Sequence, residues 1–110
     1  MKISYEAEPK RRLFTIRHDS NEKNTIESVV ELIIIPDIFG KRPAGYIHKV
    51  YTDTDFSGRG HASGLVNKAI KTAFEQYDCY KVFLISDEKT APFYEKLGMC
   101  RHQFGMQIRS

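Results

Sequence analysis

The stretch Phe56-Ser57-Gly58-Arg59-Gly60-His61-Ala62 is a glycine-rich, basic turn that runs straight into a helical pattern. Its residue types suit the binding of an anion. The first N–H groups of a helix have no intrahelical acceptor, and the helix dipole favours negative charge beside them. Two glycines let the backbone approach a phosphate with no Cβ in the way, and Arg59 adds a positive charge. Two familiar phosphate loops are excluded. There is no Gly-x-x-x-x-Gly-Lys-Ser/Thr run, and the Gly58-Arg59-Gly60 start does not continue to a dinucleotide fingerprint.

The elements that must hold this turn alternate along the chain. Lys2–Ala7 and Leu13–His18 read as short strands, with the polar turn Asp19–Asn24 suited to a hairpin. Ser28–Ile35 is a Val- and Ile-rich strand that stops at Pro36, and Gly45–Thr52 is a further strand. From Ala62 the apolar residues Leu65, Val66, Ala69, Ile70, Ala73, Phe74 and Tyr77 recur in steps of one, three and four, which predicts a helix. Tyr80–Ile85 is nearly all apolar and reads as a strand buried on both faces. Thr90–Leu97 is a short helix ending at Gly98, and Arg101–Arg109 reads as a last strand. The expected fold is α/β of the α+β type: a mixed sheet in the order β-β-β-β-α-β-α-β, in one compact domain over residues 1–110. The long helix makes a βαβ crossover, so the glycine turn lies beyond the carboxyl end of a strand, where such sheets bind ligands.

Composition sets the context. The chain of 110 residues has 41% hydrophobic residues and a formal charge of +3. That is enough apolar material for one core, and the mild charge suits a small polyanion without demanding nucleic acid. Cys79 and Cys100 have no metal or redox spacing, and His18 and His102 have no partner at ligand spacing, so no metal site and a reducing, cytoplasmic setting are expected. The start of the chain is too polar for a signal peptide, and no apolar run spans a bilayer. Lys10-Arg11-Arg12 reads as a solvated strand edge before a nucleic-acid contact, Lys41 and Arg42 as a flexible basic loop or a contact for an acidic acceptor, and Lys68 and Lys71 as the wet face of the helix before a phosphate contact. Glu31, isolated in an apolar strand, is either a solvent-facing residue or a base.

The window Ser57-Gly58-Arg59-Gly60-His61-Ala62 resembles the cofactor loop of the GNAT superfamily of acetyl-coenzyme A-dependent N-acetyltransferases. That loop has Gln or Arg, two free positions, Gly, one free position, then Gly or Ala. Ala91-Pro92-Phe93-Tyr94-Glu95-Lys96-Leu97-Gly98-Met99 is similar to a second family segment, and Gly45-Tyr46-Ile47-His48 loosely to a strand of glucosamine-phosphate N-acetyltransferases. The resemblance covers residues 44–109 and implies direct attack of a primary amine on the thioester of acetyl-coenzyme A. It implies cofactor contacts at Val50, Tyr51, Thr52, Ser57, Gly58, Arg59, Gly60, His61, Ala62, Ser63, Asp87 and Phe93. A backbone N–H of the Gly45–Thr52 strand would support the acetyl oxygen, and Tyr94 takes the general-acid place. His48 is a base candidate with Glu31 as its competitor, and Tyr46 would orient the acceptor.

The chain departs from the family at three points. Ser57 replaces a longer side chain, Asp87 stands where Asn is frequent, and the two helices that usually wall the acceptor site have no counterpart before Gly45. Their absence implies an acceptor groove that is open, as a protein lysine would need, or completed by a second subunit. A small-molecule amine is the other acceptor class. A cofactor-binding module without turnover, or a small regulatory protein acting on a macromolecule, is the alternative function.

Overall fold

A computed structural model of the chain describes residues 10–19, 24–53, 58, 60–102 and 105–110. Its elements are β1 (Lys10–Asp19), β2 (Asn24–Ile35), β3 (Ala44–Thr52), α1 (His61–Gln76), β4 (Lys81–Phe83) and α2 (Ala91–Glu95). The strand expected over Lys2–Ala7 lies outside the described residues. So do four residues of the turn between β1 and β2, whose flanking Asp19 and Asn24 pair antiparallel as a hairpin requires. The four strands form one mixed sheet in the order β1-β2-β3-β4. β1–β2 and β2–β3 are antiparallel and β3–β4 is parallel. The described residues before α1 form strands and loops with no helix.

α1 covers one face of this sheet. Alternate residues of the strands point to it: Phe14 from β1, Val30, Leu32 and Ile34 from β2, and Ile47 from β3 are buried. They meet Leu65, Val66, Ala69 and Ala73 of α1. Val30, Leu32 and Val66 are fully enclosed. Truncating such a residue to alanine costs about 2–5 kcal/mol. Gly45 sits where the helix comes closest to β3, because a Cβ there would lie 3.2 Å from Cβ of Ala73 and 3.3 Å from Cγ2 of Val82. The buried stripe of α1 runs Leu65, Val66, Ala69, Thr72, Ala73. Thr72 thus takes a place in the core that the apolar pattern gave to Phe74, which is 45% exposed.

The end of α1 is locked by the loop before β3. Asp78 has φ 54°, an αL residue that turns the chain out of the helix. The Arg42 guanidinium donates to the carbonyls of Asp78 and Cys79, both at 3.1 Å, and its Nε lies 3.4 Å from the Asp78 carboxylate. Arg42 is therefore a clamp on the α1–β4 turn, where a mobile basic loop was expected.

Two elements differ from their sequence patterns. The run Tyr80–Ile85 was expected to be a strand buried on both faces, but β4 is three half-buried residues, with Tyr80 55% and Ile85 75% exposed. Among the described residues β4 is the edge of the sheet and α1 covers only one of its faces. The strand expected over Arg101–Arg109 is not present at residues 101, 102 or 105–110. An alternating pattern makes a strand only where a neighbouring edge accepts its hydrogen bonds, and among the described residues none meets this segment. Met106 and Ile108 are almost wholly exposed.

Candidate active site

The site begins where the sheet comes apart. β3 and β4 are paired only at Ala44–Lys81, Gly45–Val82 and Tyr46–Phe83, while β3 runs on to Thr52 beside β2. Beyond Tyr46 the two strands diverge, and a cleft of about 470 Å³ opens between them. His48, Val50 and Tyr51 line it from β3, Leu84 and Ile85 from beyond β4, and Tyr94 from α2. Among the described residues, the backbone of β3 that faces away from β2 has no strand partner along this stretch. Extended backbone left open in a narrow cleft is suited to an elongated ligand with amide groups of its own.

One residue of β3 is extra. Leu32 pairs with Ile47 and Glu31 with Lys49, so His48 has no opposite residue on β2. This is a β-bulge, which leaves its residue out of the ladder and re-aims its side chain. It lets Ile47 and Val50, three apart, both turn toward the core, while the intervening residues His48 and Lys49 are exposed. His48 Nδ1 lies 2.5 Å from Oε1 of Glu31, and Arg11 Nε lies 3.4 Å from the other oxygen of the same carboxylate. The Glu31 side chain is 13% exposed and that of His48 44%. The two candidate bases are thus one hydrogen-bonded pair. Tyr46 stacks on Phe83 at 4.9 Å between ring centres and lies 5.5 Å from the His48 ring.

Tyr94 is held at the cleft by a tight local structure. The Asp87 carboxyl accepts from the N–H and the hydroxyl of Thr90, both at 2.8 Å, at the start of α2. These bonds, the backbone one foremost, hold Asp87 below the usual carboxylate range. Its side chain thus organises the turn that carries α2. Pro92 sits in the first turn of α2, and Gly98, with φ 95°, ends the segment. The Phe93 ring packs edge-on against Tyr94 at 5.0 Å. Burial pushes the Tyr94 phenol above its ordinary range, and the Asp87 carboxylate adds to the effect. A phenol shifted this way keeps its proton at neutral pH.

The anion turn lies at the same end of β3. Gly58 and Gly60 have φ 80° and 77°, left-handed values that explain the glycines better than crowding does, since no atom lies within 4 Å of a Cβ on Gly58. Gly60 is the N-cap of α1 and supplies no side-chain cap, so the N–H groups of His61, Ala62 and Ser63 head the helix without a capping side chain. The Ser63 hydroxyl is turned back to the Gly60 carbonyl at 3.0 Å. Ser57 and Arg59 lie outside the described residues. Thr52 closes β3 with its hydroxyl 2.9 Å from that of fully buried Ser28, which also donates to the Tyr51 carbonyl.

His61 was expected only as a loop contact, and the structure gives it a second role. Its Nε2 lies 3.1 Å from Oε2 of Glu27, a carboxylate 7% exposed as a residue. Glu27 is itself the extra residue of β2, where Ile16 pairs with Ser28 and Arg17 with Ile26. Glu27 and Arg11 were missed from the sequence. Neither has a motif around it; a break in the in–out alternation is the one signal that marks such bulges. Among the described residues no three His, Cys, Asp or Glu side chains gather as a metal site would need, and no helix is long and apolar enough to cross a membrane.

The acetyltransferase (GNAT) family model matches residues 2–99 of the chain. A glucosamine 6-phosphate N-acetyltransferase from Trypanosoma brucei brucei is 38% identical over 69 residues, which are 63% of this chain and 46% of that protein. The chain thus spans about half the length of this curated relative. A crystal structure of a Trypanosoma brucei acetyltransferase superposes with a TM-score of 0.81 at 30% identity, over 91% of this chain and 69% of that one. Glucosamine-6-phosphate N-acetyltransferase from Arabidopsis thaliana superposes with a TM-score of 0.80 at 23% identity, over 90% and 66%, a likeness of fold.

Proposed function

The chain belongs to the acetyltransferase (GNAT) family, and from that premise we propose that it transfers the acetyl group of acetyl-coenzyme A to a primary amine. The observation that carries this reading is the divergence of β3 and β4, which puts an imidazole and a protonated phenol on one cleft, His48 on one side and Tyr94 on the other. The residues present fit the cosubstrate. The uncapped start of α1 behind Gly60 offers backbone N–H groups and a helix dipole to a pyrophosphate, and the open edge of β3 offers amides to the arm that follows it. When bound, acetyl-coenzyme A supplies an activated acyl carbon with a thiolate leaving group.

The chain's own residues supply the rest. The cleft aligns two bound reactants, which is a large part of the rate for a direct transfer. His48 takes a proton from the acceptor ammonium, and the free amine then forms the C–N bond as the C–S bond breaks. Tyr94 gives its phenolic proton to the departing sulfur, and the proton left on nitrogen returns through water to the phenolate. A backbone N–H of β3 supports the acetyl oxygen.

The acceptor chosen for the first test is glucosamine 6-phosphate, the amine named for the relative that shares 38% of aligned residues. His48 is exposed on β3, which suits a bulky acceptor such as a protein lysine as the second choice. Two measurements test the proposal. Acetyl-coenzyme A should raise the melting temperature at millimolar concentration, and free thiol should be released when an amine acceptor is added. Binding without thiol release for amino sugars, polyamines and peptides alike would reduce the chain to a cofactor-binding module. Tyr94→Phe should lower kcat about 100-fold with the cofactor-induced thermal shift retained; unchanged turnover would remove Tyr94 from the acid role.

A further inference from the structure

We infer that Arg11, Glu31 and His48 form a proton-positioning chain across three strands, in which Glu31 fixes the tautomer of His48 and Arg11 fixes Glu31. The inference rests on the acetyl-transfer reading for its purpose and on the geometry for its existence. Glu31 approaches Nδ1 of His48 at 2.5 Å, and an ionised carboxylate has only acceptors to offer. Nδ1 must therefore donate, which leaves Nε2 as the bare nitrogen of the neutral ring. His48 lines the cleft, and with Nδ1 engaged by Glu31 the bare nitrogen is the one available to an acceptor amine. Arg11 reaches the second oxygen of Glu31 at 3.4 Å from β1, with its own side chain 64% exposed.

The Arg11 contact adds little stability. An ion pair with one partner this exposed contributes about 0–1 kcal/mol. Val30 and Leu32, on either side of Glu31 in β2, turn to the core, and Glu31 lies on the opposite face, 13% exposed and paired with both His48 and Arg11. Its position makes sense if orientation is the product. The bulge supplies the needed reach. Lys49, not His48, is the direct cross-strand partner of Glu31, and the extra residue brings the imidazole back to the same face. Glu31 is then a positioning residue and not a competing base.

The charged and titratable groups around the ring come from all the elements that meet there. Glu31 stands on β2, Arg11 on β1 acts through it, Lys49 is adjacent on β3, the Tyr46 phenol ring lies 5.5 Å away, and Tyr94 shares the cleft from α2. Loss of the Glu31 acceptor frees the ring to exchange tautomers, and loss of Arg11 frees the carboxylate that holds it, whereas a loss of packing elsewhere would leave the tautomer fixed.

Two readouts test the chain on the full-length protein. Long-range proton–nitrogen spectra of 15N-histidine protein, with His48 assigned through His48→Gln, should show Nδ1 protonated and Nε2 bare. Glu31→Gln should scramble that tautomer, Arg11→Gln should scramble it in part, and Arg11→Lys should restore it. A wild-type His48 protonated at Nε2, or a tautomer indifferent to Glu31→Gln, overturns the inference whatever the activity. In turnover, Glu31→Gln should lower kcat at least about tenfold with KM for acetyl-coenzyme A retained. Loss of kcat with an unmoved tautomer in both Glu31→Gln and Arg11→Gln also overturns it. A wild-type chain that releases no thiol sinks the transfer reading alone, because the spectra still decide the tautomer.

Discussion

Two glutamate–histidine pairs stand on opposite sides of the same sheet, each made by a bulge, and they differ in what surrounds them. Glu27 is the extra residue of β2 and reaches His61 at 3.1 Å, with side chains 9% and 25% exposed. In the other pair the histidine, His48, is the extra residue of β3, and it reaches Glu31 with side chains 13% and 44% exposed. The inner pair ties the first residue of α1 to the sheet, so it sets where the helix N-terminus points. The outer pair faces a cleft and leaves one ring nitrogen free. The same two residue types thus make an enclosed tether in one place and, on the reading proposed above, an acid–base device where one side is wet.

The comparison breaks if the two histidines respond alike. His48→Ala should have the largest effect, lowering kcat by about 100- to 10,000-fold with little change in melting temperature. A melting loss as large as that of His61→Ala would make both pairs structural. His61→Ala should instead destabilise the fold by about 1.5–3 kcal/mol in denaturant unfolding, the size of a lost hydrogen bond to a charged group. It should also weaken binding of acetyl-coenzyme A, measured by titration, without moving the pH profile of kcat. Next in size is Gly60→Ala, which places a Cβ on a residue with φ 77° at the head of α1. The expected cost is about 1–2 kcal/mol, seen as weaker cofactor binding with the His48 tautomer intact. The smallest effect is on the turn that carries Tyr94. Asp87 titrates below its unfolded value, so its contribution is complete above about pH 4 and is lost as pH falls through the lower folded value. Asp87→Asn should therefore lower the melting temperature in the neutral region and flatten the acid side of the melting curve, so that the two proteins converge at low pH.

Much of this was legible because it follows from period and from turn chemistry. The apolar steps from Ala62 to Tyr77 match α1 at His61–Gln76, the Val- and Ile-rich run matches the core half of β2, and Gly58 and Gly60 mark the left-handed turn before the helix. The two sequence segments of the family resemblance lie at the α1 head and on α2, as expected. What was not legible depends on neighbours. Tyr80–Ile85 looks like an interior strand until the sheet ends beside it, and Arg101–Arg109 looks like a strand until no edge meets it. Arg42 reads as loop charge because its acceptors are carbonyls 36 and 37 residues away. The pairing of His48 with Glu31 was hidden for the same reason: a period-two reading takes β3 as regular. Ile47 and Val50, both turned inward at a spacing of three, were the available clue.

That spacing bears on how such a site can arise. An inserted residue in a regular strand normally exchanges the two faces for everything downstream. In β3 the insertion is absorbed at His48, so Val30 still opposes Val50 and Ser28 still opposes Thr52. Removing the single codon for His48 would join Ile47 to Lys49 with every later side chain on its present face. The imidazole is therefore separable from the core as a genetic unit: one in-frame codon gained or lost adds or removes it without redesigning the hydrophobic interior.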